Sequence, residues 1–199
     1  MKVDSGDSWG RTPLCWAAIN NHEAVVQMLF ETGQADVDAR GLDGRTPLSW
    51  AAAGGHAGVV QLLLEIDQGQ AVDVDARDLD DRTPLSWAME SGQDLVVRLL
   101  LGTKRVDVNS RDYAGRTPLS WAAECGNPKF VQLLLDTGRV HVDSGDAEDQ
   151  TPLSWAAMYG KAAVVRLLLE TGKVDVGSKD SDRQTPLSLA TENGHEAVV

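Results

Sequence analysis

The chain has 199 residues, 42% of them hydrophobic and 24% charged, with a net charge of −12 and two cysteines. That balance is typical of a soluble folded chain with a sizeable core, and no apolar run is long enough to span a bilayer. The acidic surplus argues against nucleic acid, whose phosphates are held by clustered Lys and Arg, and leaves a basic or mixed protein surface as the natural partner.

The first ten residues read as a leading loop, because Lys2-Val3-Asp4-Ser5-Gly6-Asp7 parallels His141-Val142-Asp143-Ser144-Gly145-Asp146 further on. Met1-Lys2-Val3-Asp4 does not begin a signal peptide, so an intracellular, cytoplasmic setting is expected. At Thr12-Pro13 the first helix begins. A threonine hydroxyl can accept a backbone N–H as N-cap, and proline at the first helical position removes a donor that would otherwise be orphaned. This helix should end near Asn20-Asn21, where asparagine tolerates a left-handed turn. A second helix follows, with Val26, Leu29 and Phe30 at helical spacing, and stops near Gly33.

The same pattern then returns. The motif threonines are Thr12, Thr46, Thr83, Thr117, Thr151 and Thr185, at intervals of 34, 37, 34, 34 and 34 residues. A constant period of this size signals stacked supersecondary units that cover one another's apolar faces. First helices should end at Gly54-Gly55, Ser91-Gly92, Cys125-Gly126 and Tyr159-Gly160. Second helices carry stripes such as Val60, Leu63 and Leu64, and Asn127-Pro128 repeats the cap-then-proline signal at the start of one of them. They should end at Gly138 and Gly172, with Lys104 at the matching place in the third unit. Between units lie alternating segments such as Val72-Asp73-Val74-Asp75 and Val106-Asp107-Val108-Asn109, then tips such as Asp112-Tyr113-Ala114-Gly115. Aspartate first and glycine fourth is the preference of a type I turn. The units are therefore 11–44, 45–81, 82–115, 116–149 and 150–183, with a truncated unit at 184–199 closing inside a second helix. The 37-residue interval places three extra residues around Ile66 to Ala71, read as a tolerated loop insertion.

Gly-x-Thr-Pro-Leu, the following Ala-Ala, Gly-His at 55–56 and 194–195, Val-Val-x-Leu-Leu and the Asp-x-x-Gly tips together resemble the ankyrin repeat family. The resemblance covers essentially the whole chain. It implies an all-α repeat solenoid and a protein-binding role. One departure stands out: the family's histidine after Thr-Pro-Leu is replaced by Cys15, Ser49, Ser86, Ser120, Ser154 and Ser188, so contacts between repeats have to be rebuilt. A tryptophan follows in five units, Trp16, Trp50, Trp87, Trp121 and Trp155, with Leu189 in the sixth. This Ser-Trp version resembles the ankyrin arrays of fungal NACHT-type proteins.

No catalytic motif is present, and neither a cofactor nor a metal is expected. Cys15 and Cys125 have no metal-binding spacing, and His22, His56 and His195 hold equivalent places at second-helix starts, which reads as repeat structure. The tryptophans are expected to pack as a core ladder, the alternative being an aromatic ligand cage. The column Arg11, Arg45, Arg82 and Arg116, continued by Gln150 and Gln184, is expected to form solvated ion pairs with tip aspartates Asp7, Asp78, Asp112, Asp146 and Asp180.

Function then falls to the positions that vary between units. In the resembling family, turn tips and first-helix ends line the surface that grips protein partners. Carried over, this gives Trp9, Leu42, Leu79, Tyr113, Met158 and Tyr159 as apolar anchors, with Asp43, Asp80, Glu90 and Glu124 as an acidic rim. The competing explanation is unselected surface variation. A monomer is expected, with a structural spacer or end-to-end self-association as the rival role.

Overall fold

A computed structural model describes residues 4–65 and 71–199, so the insertion around Ile66 lies outside the described residues apart from Ala71. Eleven helices and no strands occur among the described residues. They fall into two compact units, Met1–Asp107 and Val108–Val199.

The first unit holds α1 (Pro13–Ile19), α2 (Glu23–Glu31), α3 (Pro47–Gly54), α4 (Ala57–Glu65), α5 (Pro84–Glu90) and α6 (Asp94–Gly102). Helices pair in sequence, and first helices pack on first helices (α1 on α3, α3 on α5) while second helices pack on second helices (α2 on α4, α4 on α6). The second unit holds α7 (Pro118–Cys125), α8 (Pro128–Asp136), α9 (Pro152–Met158), α10 (Ala162–Glu170) and α11 (Pro186–Glu192), packed by the same rule.

The local signals are obeyed closely. Every first helix has its threonine as N-cap, accepting the backbone N–H three residues on, with proline at N1. Left-handed residues end the first helices at Asn21, Gly55, Gly92, Gly126, Gly160 and Gly194. Second helices are followed by left-handed Gly33, Lys104, Gly138 and Gly172. Thr32, Thr103, Thr137 and Thr171 seal those ends by donating to the carbonyl three residues back, at 2.6–2.7 Å. Asn127 caps α8 by accepting from Lys129 and Phe130.

The core runs along the paired helices. Leu48, Ala51, Ala52, Val60 and Leu63 are buried in one repeat, and Leu119, Ala122, Ala123, Val131 and Leu134 in another. The alanines keep first helices slim, so neighbours approach without a gap. In α2 only Val26 is buried, while Leu29 and Phe30 are half-buried. After α11 the chain makes a turn over His195–Val198 where a second helix was expected.

The serines that replace the family histidine bond locally: Ser49, Ser86, Ser120 and Ser154 place Oγ 3.1–3.2 Å from the capping threonine hydroxyl. Ties between repeats come from elsewhere. His56 Nε2 lies 3.0 Å from the Ile19 carbonyl, and His195 Nε2 2.9 Å from that of Met158. A column of carboxylates adds more: Asp4 accepts the Asp36 N–H, Asp38 that of Asp73, Asp75 that of Asp107, and Asp143 that of Asp175. In the same column Asn109 accepts from His141 at 2.7 Å.

Candidate functional site

The tips opening at Asp7, Asp78, Asp146 and Asp180 are built around an Asx turn. In Asp78, Oδ1 accepts the backbone N–H groups of Asp80 and Arg82 while Oδ2 accepts the Trp87 indole N–H at 2.8 Å. Trp16–Asp7, Trp121–Asp112 and Trp155–Asp146 repeat the indole bond at 2.9–3.0 Å. The bond clamps a tip to the first helix that follows it. Trp50 breaks the series. Gly41 stands where the aspartate belongs, and the buried Trp50 Nε1 has no hydrogen-bond partner.

These tryptophans are not core. They are half-exposed, Trp16 at 38%, and their faces are taken by the arginine column. In the first unit the Arg11 guanidinium carbon lies 5.5 Å from the Trp16 ring centre and 4.7 Å from that of Trp50. Arg45 lies 4.5 Å from Trp50 and 3.5 Å from Trp87, and Arg82 lies 4.0 Å from Trp87. In the second unit Arg116 sits 3.6 Å from Trp121 and 4.2 Å from Trp155. The stack ends where Gln150 replaces arginine and Leu189 replaces tryptophan, and there Tyr159 stacks on Trp155 at 6.0 Å. Alternating planar cations and indoles satisfy both, because the guanidinium meets the negative ring face.

The expected solvated pairing of arginines with tip aspartates is therefore corrected as well. Arg45 lies 3.7 Å from Asp78, whose side chain is only 2% exposed. Burial pulls the Arg45 guanidinium below its ordinary pKa, against the attraction of Asp78 and Asp43. Arg82 pairs with Glu90 at 3.0 Å, Arg116 with Glu124, and Arg11 with Asp43 at 3.7 Å. Three of the four proposed rim acids thus hold arginines of their own chain. Asp80 stays exposed.

Of the side chains carried over as apolar anchors, Trp9 is 58% exposed, Leu42 70% and Leu79 74% in the first unit, and Tyr113 is 84% and Tyr159 45% exposed in the second. Met158 is half-buried, its carbonyl taken by His195. Backbone bonds fix tip against tip, Leu42 N to Trp9 O at 2.8 Å and Leu79 N to Asp43 O at 3.1 Å in the first unit, Ala147 N to Ala114 O and Ser181 N to Glu148 O in the second. The fourth tip residue is left-handed throughout. At Gly44 a side chain would meet Leu79 N at 2.8 Å, so the close tip contact itself excludes one. Guanidiniums add a second tie between tips: Arg40 donates to the carbonyls of Gly44 and Arg77, and Arg111 to those of Gly115 and Gly145. The basic residue just before the first tip position, Arg40 and Arg111, was the signal for that clamp.

A family model described as "Ankyrin repeats (3 copies)" matches residues 1–78, 66–146 and 139–199, which together take in the whole chain. The chain is an ankyrin-repeat protein. Among solved structures it is similar to the ankyrin repeat domain of Bcl-3, described as a unique member of the IκB protein family. That likeness has 28% sequence identity and a TM-score of 0.84, and covers 98% of this chain and 85% of the other. No curated protein matches it. The ankyrin array is thus an all-α repeat solenoid, and ankyrin repeats generally mediate protein–protein interaction. No helix among its described residues is long and apolar enough to cross a membrane.

Proposed function

We propose that this ankyrin array is a non-enzymatic intracellular module that binds a protein partner through its tips and first-helix ends. One observation carries the reading: large apolar side chains stand on the tips, at Leu42, Leu79 and Tyr113, although the turn itself needs none of them. Backbone hydrogen bonds hold the tips of Leu42 and Leu79 in register, so little conformational entropy is lost when a partner settles on them. Of the acidic rim, Asp80 is the member left to meet a basic group, while Asp43, Glu90 and Glu124 also hold arginines in place. The division into units 11–44, 45–81, 82–115, 116–149, 150–183 and 184–199 describes how the surface is assembled. The alternative to this reading is a fragment of a larger protein of the fungal NACHT type, which the Ser-Trp resemblance suggests, with the array accompanying a nucleotide-binding switch.

A pull-down from lysate tests the reading, with the parent as bait beside the variant Leu79→Lys, Tyr113→Lys, Tyr159→Lys, both matched for folding by circular dichroism. A partner retained by the parent and lost by the variant supports it. A partner retained equally by both overturns it. A second reading, self-association, draws on an open apolar cavity of about 110 Å³ lined by residues such as Leu153, Leu169, Val176, Leu187 and Val198. Sedimentation velocity that showed growth with concentration would favour that reading.

A further inference from the structure

In the unit ending at Asp107, Leu42 and Leu79 hold the same second place in adjacent tips and form an exposed apolar ridge, while the exposed Trp9 holds the third place of the tip before them. In the other unit the corresponding tips turn small and polar after Tyr113, with Ala147 and Ser181. The ridge has a fixed pitch. First helices α1, α3 and α5 pack side by side, and packed helix axes lie about 8–10 Å apart. The Trp16–Asp7 and Trp87–Asp78 bonds tie the outer tips to their helices, and the backbone bonds at Leu42 and Leu79 tie tip to tip. Equivalent tip side chains such as Leu42 and Leu79 therefore recur roughly every 10 Å.

That pitch selects among partner conformations. A helix advances about 10.5 Å in seven residues and returns to the same face within about 20°. A β-strand returns to the same face only at even steps, roughly 6.6 or 13 Å, and misses the pitch. A polyproline segment reaches about 9.3 Å in three residues, but its recognition rests on aromatic-lined grooves, and positions 42 and 79 are leucines. Charge adds a second criterion. The exposed Asp80 and Asp81 follow Leu79, while Asp43, after Leu42, pairs with Arg11, and the nearby Arg45 and Arg82 are stacked on Trp87 and paired with acids. Cationic residues on the partner complement that flank.

We propose that the Leu42–Leu79 ridge, with Trp9 at its edge, receives a basic amphipathic helix of a partner protein, with an apolar side chain at every seventh residue. The proposal rests on the protein-binding reading and deepens it.

Fluorescence anisotropy with the full chain tests it, using labelled peptides of about three heptads. The first has leucine at every seventh position among lysines and alanines. A second has the same composition with leucine at every fifth position, a third has glutamate for lysine, and a fourth is proline-rich with leucine at every third. The first should bind at least about tenfold more tightly than the others. Leu42→Lys and Leu79→Lys, both at exposed positions, should each weaken it by about tenfold, while Tyr159→Lys should not. Equal binding of the fifth-position peptide, tighter binding of the proline-rich one, or no binding overturns the helix. A photo-crosslinker placed at residue 79 separates the two levels. Crosslinking to a lysate protein without binding of the heptad peptide sinks the helix and leaves the protein-binding reading standing. Failure of both removes both.

Discussion

The Trp87 indole donates a 2.8 Å hydrogen bond to the Asp78 carboxylate nine residues upstream, and at Trp50 the same indole finds only Gly41. The array thus contains its own comparison between a complete rung and an incomplete one. Gly41 is not in the left-handed region, so a side chain is allowed there. An added Cβ would meet the Asp43 Oδ1 at 2.8 Å, the mobile end of a side chain that can turn away. Gly41→Asp should pair Trp50 Nε1 and take over the Arg45 N–H, which Asp43 now accepts at 3.1 Å. The expected gain is about 1 kcal/mol, read as a higher urea midpoint at unchanged slope. A loss of stability would show that the gap at Gly41 is required.

Removing a complete rung should cost more than completing the broken one gains. Asp78→Ala strands the Trp87 indole and two turn N–H groups at once. A loss of about 2–3 kcal/mol is expected in urea unfolding. A change below about 0.5 kcal/mol would mean that water replaces the carboxylate without penalty.

Arg116 lies against both Trp121 and Trp155 and pairs with Glu124. Arg116→Gln, which copies the residue found at position 150, should cost about 1–2 kcal/mol. Arg116→Lys should recover little of it, because an ammonium does not stack as a plane. Full rescue by lysine would assign the effect to the ion pair alone.

The carboxylate column predicts a pH dependence. Burial raises the Asp75 pKa above its ordinary value; acceptance of the Asp107 N–H opposes this, and the nearby charges of Asp107 and Asp73 add to it. Because the folded pKa exceeds the unfolded one, the folded state takes up the proton first. Asp75 therefore favours folding below the ordinary carboxyl range, and that benefit is lost as pH rises through the raised value. Asn109 shows that an uncharged amide serves in this column, since it accepts from His141 and also donates to the Arg139 carbonyl. Asp75→Asn should be more stable than the parent at pH 7, with the difference shrinking toward pH 4. Urea titrations across that range check this; a difference independent of pH would rule out the ionised carboxylate as its source.

Tyr113 is 84% exposed, so Tyr113→Ala should leave the urea midpoint unchanged to within about 0.5 kcal/mol. As a binding anchor it should cost at least about 2 kcal/mol of partner affinity, measured by titration calorimetry once a partner is in hand. A smaller loss removes it from the surface.

Much was legible in the letters because it is decided within a few residues. Thr46-Pro47 begins a helix whatever lies beside it, Gly55 ends that helix, and Asp112 with Gly115 closes a tip. The tips at Leu42, Leu79 and Tyr113 were found by comparing repeats with one another, since what structure does not require shows up as variation. The tryptophans were misplaced for the opposite reason. Whether an indole enters the core or stacks against arginine depends on groups outside its own helix: Trp50 meets Arg11, and Trp155 meets Arg116. No period along the chain encodes that lateral geometry.

By itself, then, the sequence determined the ankyrin repeat, its helix boundaries and its turn tips, because caps, prolines and left-handed glycines act through bonds to near neighbours. Only the tertiary structure decided which charges remain for a partner. Glu90 and Glu124 pair with Arg82 and Arg116, held by the tryptophan stack, while Leu42, Leu79 and Tyr113 stay largely in solvent.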